Sequence, residues 1–368
     1  MICLMTLGTS ESQVRYNEAA IAHAAALFER RMYDYAPPTG DAPSLEQMLP
    51  SFDRTALGVA REYEAMGGRP ITVELEGRAA AYGVTFEHLG LTVGSVLHGV
   101  DLSTLPDPDL VAVIRSALLE RKVIFFRNQH LSEEQQTAFG RCFGDLDAFP
   151  FGKPGDDPFV LEIVHGDRSP GTENGWHTDV TWMERPSLGS IAQMITAPPY
   201  GGDTLFADSH AALLGLPADV RKQIEHLDTV NDYRIFLRGR DGKPFPDELV
   251  EALKADIPFG VTHPIVRTHP ETGKQALYLH GGFMRQDTLV DRRTAEPIGE
   301  QESMRLAKIL LAQHARPEYG CRFSWEEGSV AFWDNRAVQH YAASDYFPHH
   351  RVLRRVTVAG DRPFYRAG

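Results

Sequence analysis

The sequence predicts a mixed α+β, mainly β fold: a β-sandwich or jelly-roll core decorated by packed outer helices, with an extra helical extension at the N-terminus. Three observations carry that expectation. NEAAIAHAAALFERRMYDY (17–35) is Ala-rich with apolar residues at helical spacing. From Val84 onward the texture changes to short β-branched and aromatic runs broken by Gly and Pro. A few helical stretches flank those runs, the pattern of stacked sheets with helices outside.

Taken in order, APPTGDAPS (36–44) breaks the first helix, and 44–66 predicts one or two further short ones. We divide the chain into a helical extension, 1–81, and a main domain, 82–368. The extension either packs on the main domain or serves subunit contact in a homo-oligomer. VTFEHLGLTVGSVLHGVDLS (84–103) mixes β-branched residues with Gly turns and predicts strands. DPDLVAVIRSALLERK (107–122) has an acidic start and i, i+3/i+4 apolar spacing, so it predicts a helix. VIFFRN (123–128) predicts a short buried strand. Ser132 with Gln135 three residues on is a capping-box pattern opening a helix over 132–144. Helices are expected again near 210–226, 246–255 and 300–315, and the last stretch predicts strand–turn–strand.

The chain has 368 residues, long enough to bury a sizeable core. Asp plus Glu number 50 against 37 Lys plus Arg, a formal net charge of −13. That balance argues against nucleic acid or an anionic membrane as partner. A small anionic substrate remains compatible, because a local basic pocket can sit in an acidic chain. Cys3, Cys142 and Cys321 are scattered, forming neither a disulfide framework nor a zinc cluster. With no secretory signal pattern and no apolar run of membrane-spanning length, the cytoplasm is the expected location.

Chemistry concentrates at GWHTDVTW (175–182). In a strand, residues i and i+2 share a face, so His177 and Asp179 can reach one point. His340, in AFWDNRAVQHYA (331–342), can supply a third ligand. Two imidazoles and one carboxylate on one side of an ion leave the other positions open, as in non-haem Fe(II) oxygenases. His-X-Asp is common in loops, and fifteen histidines offer other third ligands. Arg351 and Arg355 follow His340 by eleven and fifteen residues in RVLRRVTVAG, a strand-like run in which the two share parity. Inward-facing guanidiniums are costly unless anions meet them, though a basic edge strand gives the same pattern. In PPYGGDTLFAD (198–208), Gly201 and Gly202 turn the chain ahead of Thr204, whose hydroxyl can bond a carboxylate.

Together WHTDVTW, GGDTLFAD, HPIVRTHPETGKQALY, WDNRAVQHYA and GDRPFYRAG resemble the taurine dioxygenase family of Fe(II)/2-oxoglutarate-dependent oxygenases, from about Val84 to Gly368. The resemblance implies a double-stranded β-helix, a jelly-roll relative. It implies Fe(II) on His177, Asp179 and His340, with 2-oxoglutarate as cosubstrate and O2 as oxidant. It assigns Arg351 and Thr204 to the far carboxylate of 2-oxoglutarate and Arg355 to the acidic group of the substrate. The implied reaction hydroxylates a substrate C–H bond while 2-oxoglutarate becomes succinate and CO2. Asp179 argues against halogenation, which needs a small residue there.

Two positions depart from the members that act on taurine. In the loop GDLDAFPFGKPGDDPF (144–159), Phe149 takes the place of their His and no Tyr follows. Glu173 takes the place of their Asn. Both changes argue against taurine itself. With Phe151 and Phe159, Phe149 suggests a more apolar cavity, while Arg355 still argues for a sulfonate, alkyl sulfate, carboxylate or phosphate. The segment 231–248, with Arg234, Arg238 and Arg240, is a candidate lid. Trp176, Trp182 and Trp333 are expected to pack around the ligands. His165, His210, His263, His269, His280, His349 and His350 are expected to be ordinary. Competing readings are a biosynthetic oxidase of a carboxylic acid, a zinc hydrolase on the same ligands, and a non-catalytic jelly-roll binding protein.

Overall fold

The run VIFF at 123–126 is buried along its whole length, and its alternate residues enter two different cores. The computed structural model describes residues 54–149, 157–237 and 243–367, with Ala19, Ala22, His23 and Ala26 as four further, helical positions. Val123 and Phe125 face an inner core, and Ile124 and Phe126 face helices outside. A strand covered on both faces becomes a continuous apolar run, which is why this one shows no alternation.

The described helices are α1 (Arg54–Ala65), α2 (Val73–Ala80), α3 (Pro108–Arg121), α4 (Glu133–Arg141), α5 (Ser209–Leu214), α6 (Ala218–Ile224), α7 (Asp247–Asp256) and α8 (Glu300–Gln313). The strands are β1 (Thr85–His88), β2 (Ser95–His98), β3 (Val123–Phe126), β4 (Leu146–Asp147), β5 (Val160–His165), β6 (Gly189–Thr196), β7 (Thr204–Asp208), β8 (Leu227–Asn231) and β9 (Val261–Pro264). There follow β10 (Val266–Thr268), β11 (Gln275–Leu277), β12 (Met284–Asp291), β13 (Glu296–Pro297), β14 (Gly320–Phe323), β15 (Val330–Asp334), β16 (Val338–Ala342) and β17 (Arg351–Val358).

The largest sheet runs β1-β2-β3-β15-β6-β17-β4, with β5 also paired to β17. A three-stranded sheet, β14-β7-β16, faces it. Ala192, Met194, Trp333 and Leu353 from the large sheet meet Phe206, Phe323 and Val338 from the small one. These two sheets are the double-stranded β-helix core. The large sheet's other face packs Ile191 and Phe332 against Leu75, Ile114, Leu118 and Phe139 of α2, α3 and α4. A four-stranded sheet, β13-β12-β8-β9, joins α5, α6 and α8 around Ala211, Leu289 and Leu310.

The helix starts follow the caps legible in the sequence. Asp107 accepts from the backbone N–H groups of Asp109 and Leu110, and Pro108 opens α3. Ser132 and Gln135 form the expected reciprocal capping box at α4. The helix expected over 210–226 is instead two. Gly215 caps α5 and α6 begins after Pro217, which has no N–H to continue a helical ladder.

The contacts divide the chain into Met1–Met48 and Leu49–Gly368. α1 and α2 belong to the unit that carries the sheets, with Leu75 and Ala79 inside its core. The rest of the expected 17–35 helix lies outside the described residues, as do 36–53. Among the described residues no helix is long and apolar enough to cross a membrane.

Candidate active site

His177 and His340 face each other across a single antiparallel bridge. The N–H of His177 donates to the His340 carbonyl at 3.0 Å, and the N–H of His340 returns a bond at 2.9 Å. Their ring centroids lie 4.0 Å apart. Only this one pair is strand-like; Asp179 lies in the turn that follows. The expected regular strand at His-X-Asp is thus replaced by a bridge and a turn. Asn335 holds that turn. Its Oδ1 accepts from the Asp179 N–H at 2.8 Å, and its amide donates to the carbonyls of Asp179 and Ser187. Val180 takes φ 49, the left-handed region that β-branched residues avoid. A clamped, strained turn brings the carboxylate back beside the imidazoles.

One ligand atom from each of His177, Asp179 and His340 lies within 4.8 Å of the others, the one such cluster among the described residues. Asp179 Oδ1 is 3.9 Å from the Nε2 of both histidines. Ligands about 2.1 Å from an ion stand about 3 Å apart at a right angle and about 4.2 Å apart across it. The observed spacing falls in that range. His177 Nδ1 lies 2.7 Å from the Gly175 carbonyl; a proton there leaves the Nε2 lone pair for a metal. His340 Nδ1 is buried without a hydrogen bond, and Trp333 packs on its ring at 4.9 Å. Burial alone would raise the Asp179 pKa, but Arg355 first, then His340, His177 and His280, hold it well below the usual carboxylate range. Burial, then His177, pushes His340 down to about 3. An ionised carboxylate and neutral imidazoles are the forms a divalent ion needs, so this His-Asp-His triad fits Fe(II).

β17 carries both arginines toward this centre. Arg351 and Arg355 share the inward side with Leu353, while Arg354 turns out to the Leu131 carbonyl and Gln136. Arg351 is 4% exposed. Its Nε is buried with no hydrogen bond, and no carboxylate pairs with it among the described residues. Burial pushes its pKa down, with only partial relief from Tyr346 and Glu173. Gly202, at φ 72, makes room for it: a side chain there would start 3.3 Å from Arg351 Nε. Thr204 is buried on β7, in the facing three-stranded sheet. Its hydroxyl accepts the Trp325 indole N–H at 2.9 Å, so its own proton stays available to an incoming acceptor.

Arg355 reaches Asp179 Oδ1 at 3.4 Å and stands 6.0 Å from the Phe149 ring. Phe149, Asp179, Met183, Ser190 and Arg355 line one small cavity. A larger cavity of about 520 Å³ shares no residue with the triad. Glu173 sits elsewhere, half exposed, its Oε2 3.3 Å from His165 Nε2. The structure therefore brings Phe149 to Arg355 and leaves Glu173 on the Arg351 side. Phe151, Arg238 and Arg240 lie outside the described residues; Arg234 is exposed and pairs with Asp232 at 3.2 Å.

Sequence reasoning set His280 aside as ordinary. The structure instead places its buried ring 5.4 Å from the His177 ring. Burial, then His177, holds its pKa well below the ordinary histidine value. Asn335, clamping the turn, was also missed. The signal available for His280 was its position between a buried strand and two glycines, LYLHGG; for Asn335 it was only nearness to His340.

A family model described as taurine catabolism dioxygenase TauD, TfdA family matches residues 85–357. An alkylsulfatase of Acinetobacter baylyi is 36% identical over 275 residues, covering 73% of this chain and 83% of its own. An alpha-ketoglutarate-dependent sulfate ester dioxygenase of Pseudomonas putida is 36% identical over 277 residues, covering 74% and 88%. The crystal structure of a taurine dioxygenase from Burkholderia xenovorans matches with TM-score 0.63 and 37% identity, over 77% of this chain and 91% of that one.

Proposed function

This chain belongs to the TauD/TfdA family of alpha-ketoglutarate-dependent dioxygenases, and from that premise we propose that it hydroxylates a C–H bond of a small organic sulfate or sulfonate. Alpha-ketoglutarate (2-oxoglutarate) is the cosubstrate, and the triad is the Fe(II) site. Family membership removes the zinc-hydrolase and binding-protein readings.

The buried, unpaired guanidinium of Arg351 carries the assignment of the cosubstrate site. A planar guanidinium takes a carboxylate in bidentate fashion, and Thr204 adds a hydroxyl proton beside it. Arg355 holds the anionic group of the substrate and keeps Asp179 ionised. Phe149 presents an apolar wall next to that anion where taurine-specific members have a histidine. Glu173 borders the Arg351 side. When bound, Fe(II) with 2-oxoglutarate and O2 supplies the oxidation that puts a hydroxyl on the C–H bond held nearest. The chain's own contribution is to seat that bond and keep water out. Hydroxylation at the carbon next to the heteroatom gives an unstable product that breaks down to release sulfate or sulfite. The alkylsulfatase and sulfate ester dioxygenase relatives support the sulfate reading over the taurine one.

The test is a panel of alkyl sulfates, alkyl sulfonates and matching carboxylates, followed by succinate formation and by sulfate or sulfite release. Succinate coupled one-to-one to sulfate release is the expected result. Coupled turnover of carboxylates alone would overturn the sulfur-ester reading and favour the biosynthetic oxidase.

A further inference from the structure

We propose that His280 is a specificity-determining residue whose Nε2–H donates a hydrogen bond to an acceptor oxygen on the uncharged part of the substrate. Placing that part rests on the reading above, in which Arg355 holds the anion.

The backbone settles which nitrogen of His280 carries the proton. Its Nδ1 accepts the N–H of Gly282 at 2.9 Å and the N–H of Phe283 at 3.1 Å. Two donors aimed at Nδ1 require its lone pair, so the neutral ring is protonated on Nε2. That N–H makes no hydrogen bond among the described residues, yet Nε2 is not one of the fully occluded polar atoms. Gly282 keeps the arrangement tight, since a side chain there would start 3.2 Å from His280 Cε1.

The position of the ring gives this donor its meaning. His280 packs at a tilt on Phe283 with centroids 3.8 Å apart, Phe283 meets Phe236 at 5.4 Å, and Phe236 meets Phe149 at 6.0 Å. Phe149 in turn lies under Arg355. The far end of this aromatic wall touches His177, 5.4 Å from His280. Arg355 contacts Asp179, and Asp179 neighbours His177, so the contacts close a circuit around the metal ligands. One end of the wall is a cation, the middle is apolar, and the other end is a neutral donor. A substrate that covers this donor strips its water, and a donor left unmatched under the ligand costs free energy. A substrate oxygen separated from the anion by a hydrocarbon stretch removes that cost, whereas a plain alkyl chain leaves it in place. The recognised class is therefore an anion whose body carries an ether, ester or hydroxyl oxygen.

The test uses the full chain loaded with Mn(II) and N-oxalylglycine, an inert oxoglutarate analogue, so that binding is read apart from turnover. Calorimetry compares a series of alkyl sulfates in which an ether oxygen replaces each methylene in turn, with the matching carboxylates beside it. At one chain position the ether should bind on the order of tenfold tighter than its methylene counterpart. His280→Phe, which keeps a ring and removes the donor, should erase that preference, and His280→Gln should keep part of it. No preferred position in either series, or a preference that survives in His280→Phe, overturns the proposal. A loss of N-oxalylglycine affinity in His280→Phe also overturns it, by moving the donor to the cosubstrate. If only carboxylates bind, the sulfate reading fails and the same comparison on the carboxylates decides the role of His280.

Discussion

Two pairs of inward-facing basic residues stand in contrast. Arg121 and Lys122, where α3 meets β3, are 0% and 1% exposed. Arg121 donates to Ser95 Oγ and to the carbonyls of Pro70, Gly90, Leu91 and Gly94. Lys122 Nζ bonds Glu62 at 2.9 Å, Asp208 at 2.9 Å and the Thr92 carbonyl at 2.7 Å. Arg351, 4% exposed, has no such partner, while Arg355, partly buried, has one long contact. Arg351 comes close to the first pair in burial and differs from it in satisfaction. A charge whose partners are built into the chain belongs to the architecture; one left without them is waiting for an anion from outside.

The sharpest break in that comparison comes at the triad. His177→Ala or Asp179→Ala should abolish Fe(II)-dependent succinate formation while leaving the melting transition in place; retained decarboxylation would remove the metal from these residues. Lys122→Met comes next. It leaves Glu62 and Asp208 buried without their cation, at a cost of about 3–5 kcal/mol in urea unfolding. Arg351→Gln should do the reverse. Its stability should hold or rise, but the oxoglutarate KM should climb on the order of a hundredfold, about 2–3 kcal/mol, and the visible band of the anaerobic Fe(II)–2-oxoglutarate complex should weaken. Arg355→Ala should spare that band and uncouple succinate formation from product; full coupling would sink the anion-anchor assignment.

The last effect is a slope, negligible at neutral pH and growing only on acidification. His314 is buried and shares a 3.0 Å hydrogen bond with Ser209 beside the Asp208 cluster. Burial lowers its pKa from 6.5 to about 3. The unfolded chain then takes up the proton first as pH falls. Stability is full above pH 6.5 and declines below it toward pH 3, by up to about 1.4 kcal/mol per pH unit. His314→Gln should flatten that decline in urea titrations at successive pH values.

Much of this was legible before any coordinates. Caps depend on residues three apart, so Asp107 and the Ser132–Gln135 box could be read locally. Parity in β17 could be read as well, because alternation needs no knowledge of the partner strand. The split between α5 and α6 was visible in Pro217 and passed over. What could not be read is what depends on distant segments meeting. His280 becomes part of the site only because the chain after β11 folds over His177, 103 positions earlier in the sequence. Trp325 on Thr204 and Asn335 on Asp179 are long-range pairs of the same kind.

β17 has a consequence for where the substrate is oxidised. It carries Arg351 and Arg355 four residues apart on one strand paired on both sides, roughly 13 Å along its length. On our assignment both reactants are measured from that strand by their negative ends. The strand then acts as a ruler, and the attacked carbon is counted from the anion and not from the tail. Lengthening the hydrocarbon changes how much chain lies against the aromatic wall and leaves the number of the oxidised carbon the same.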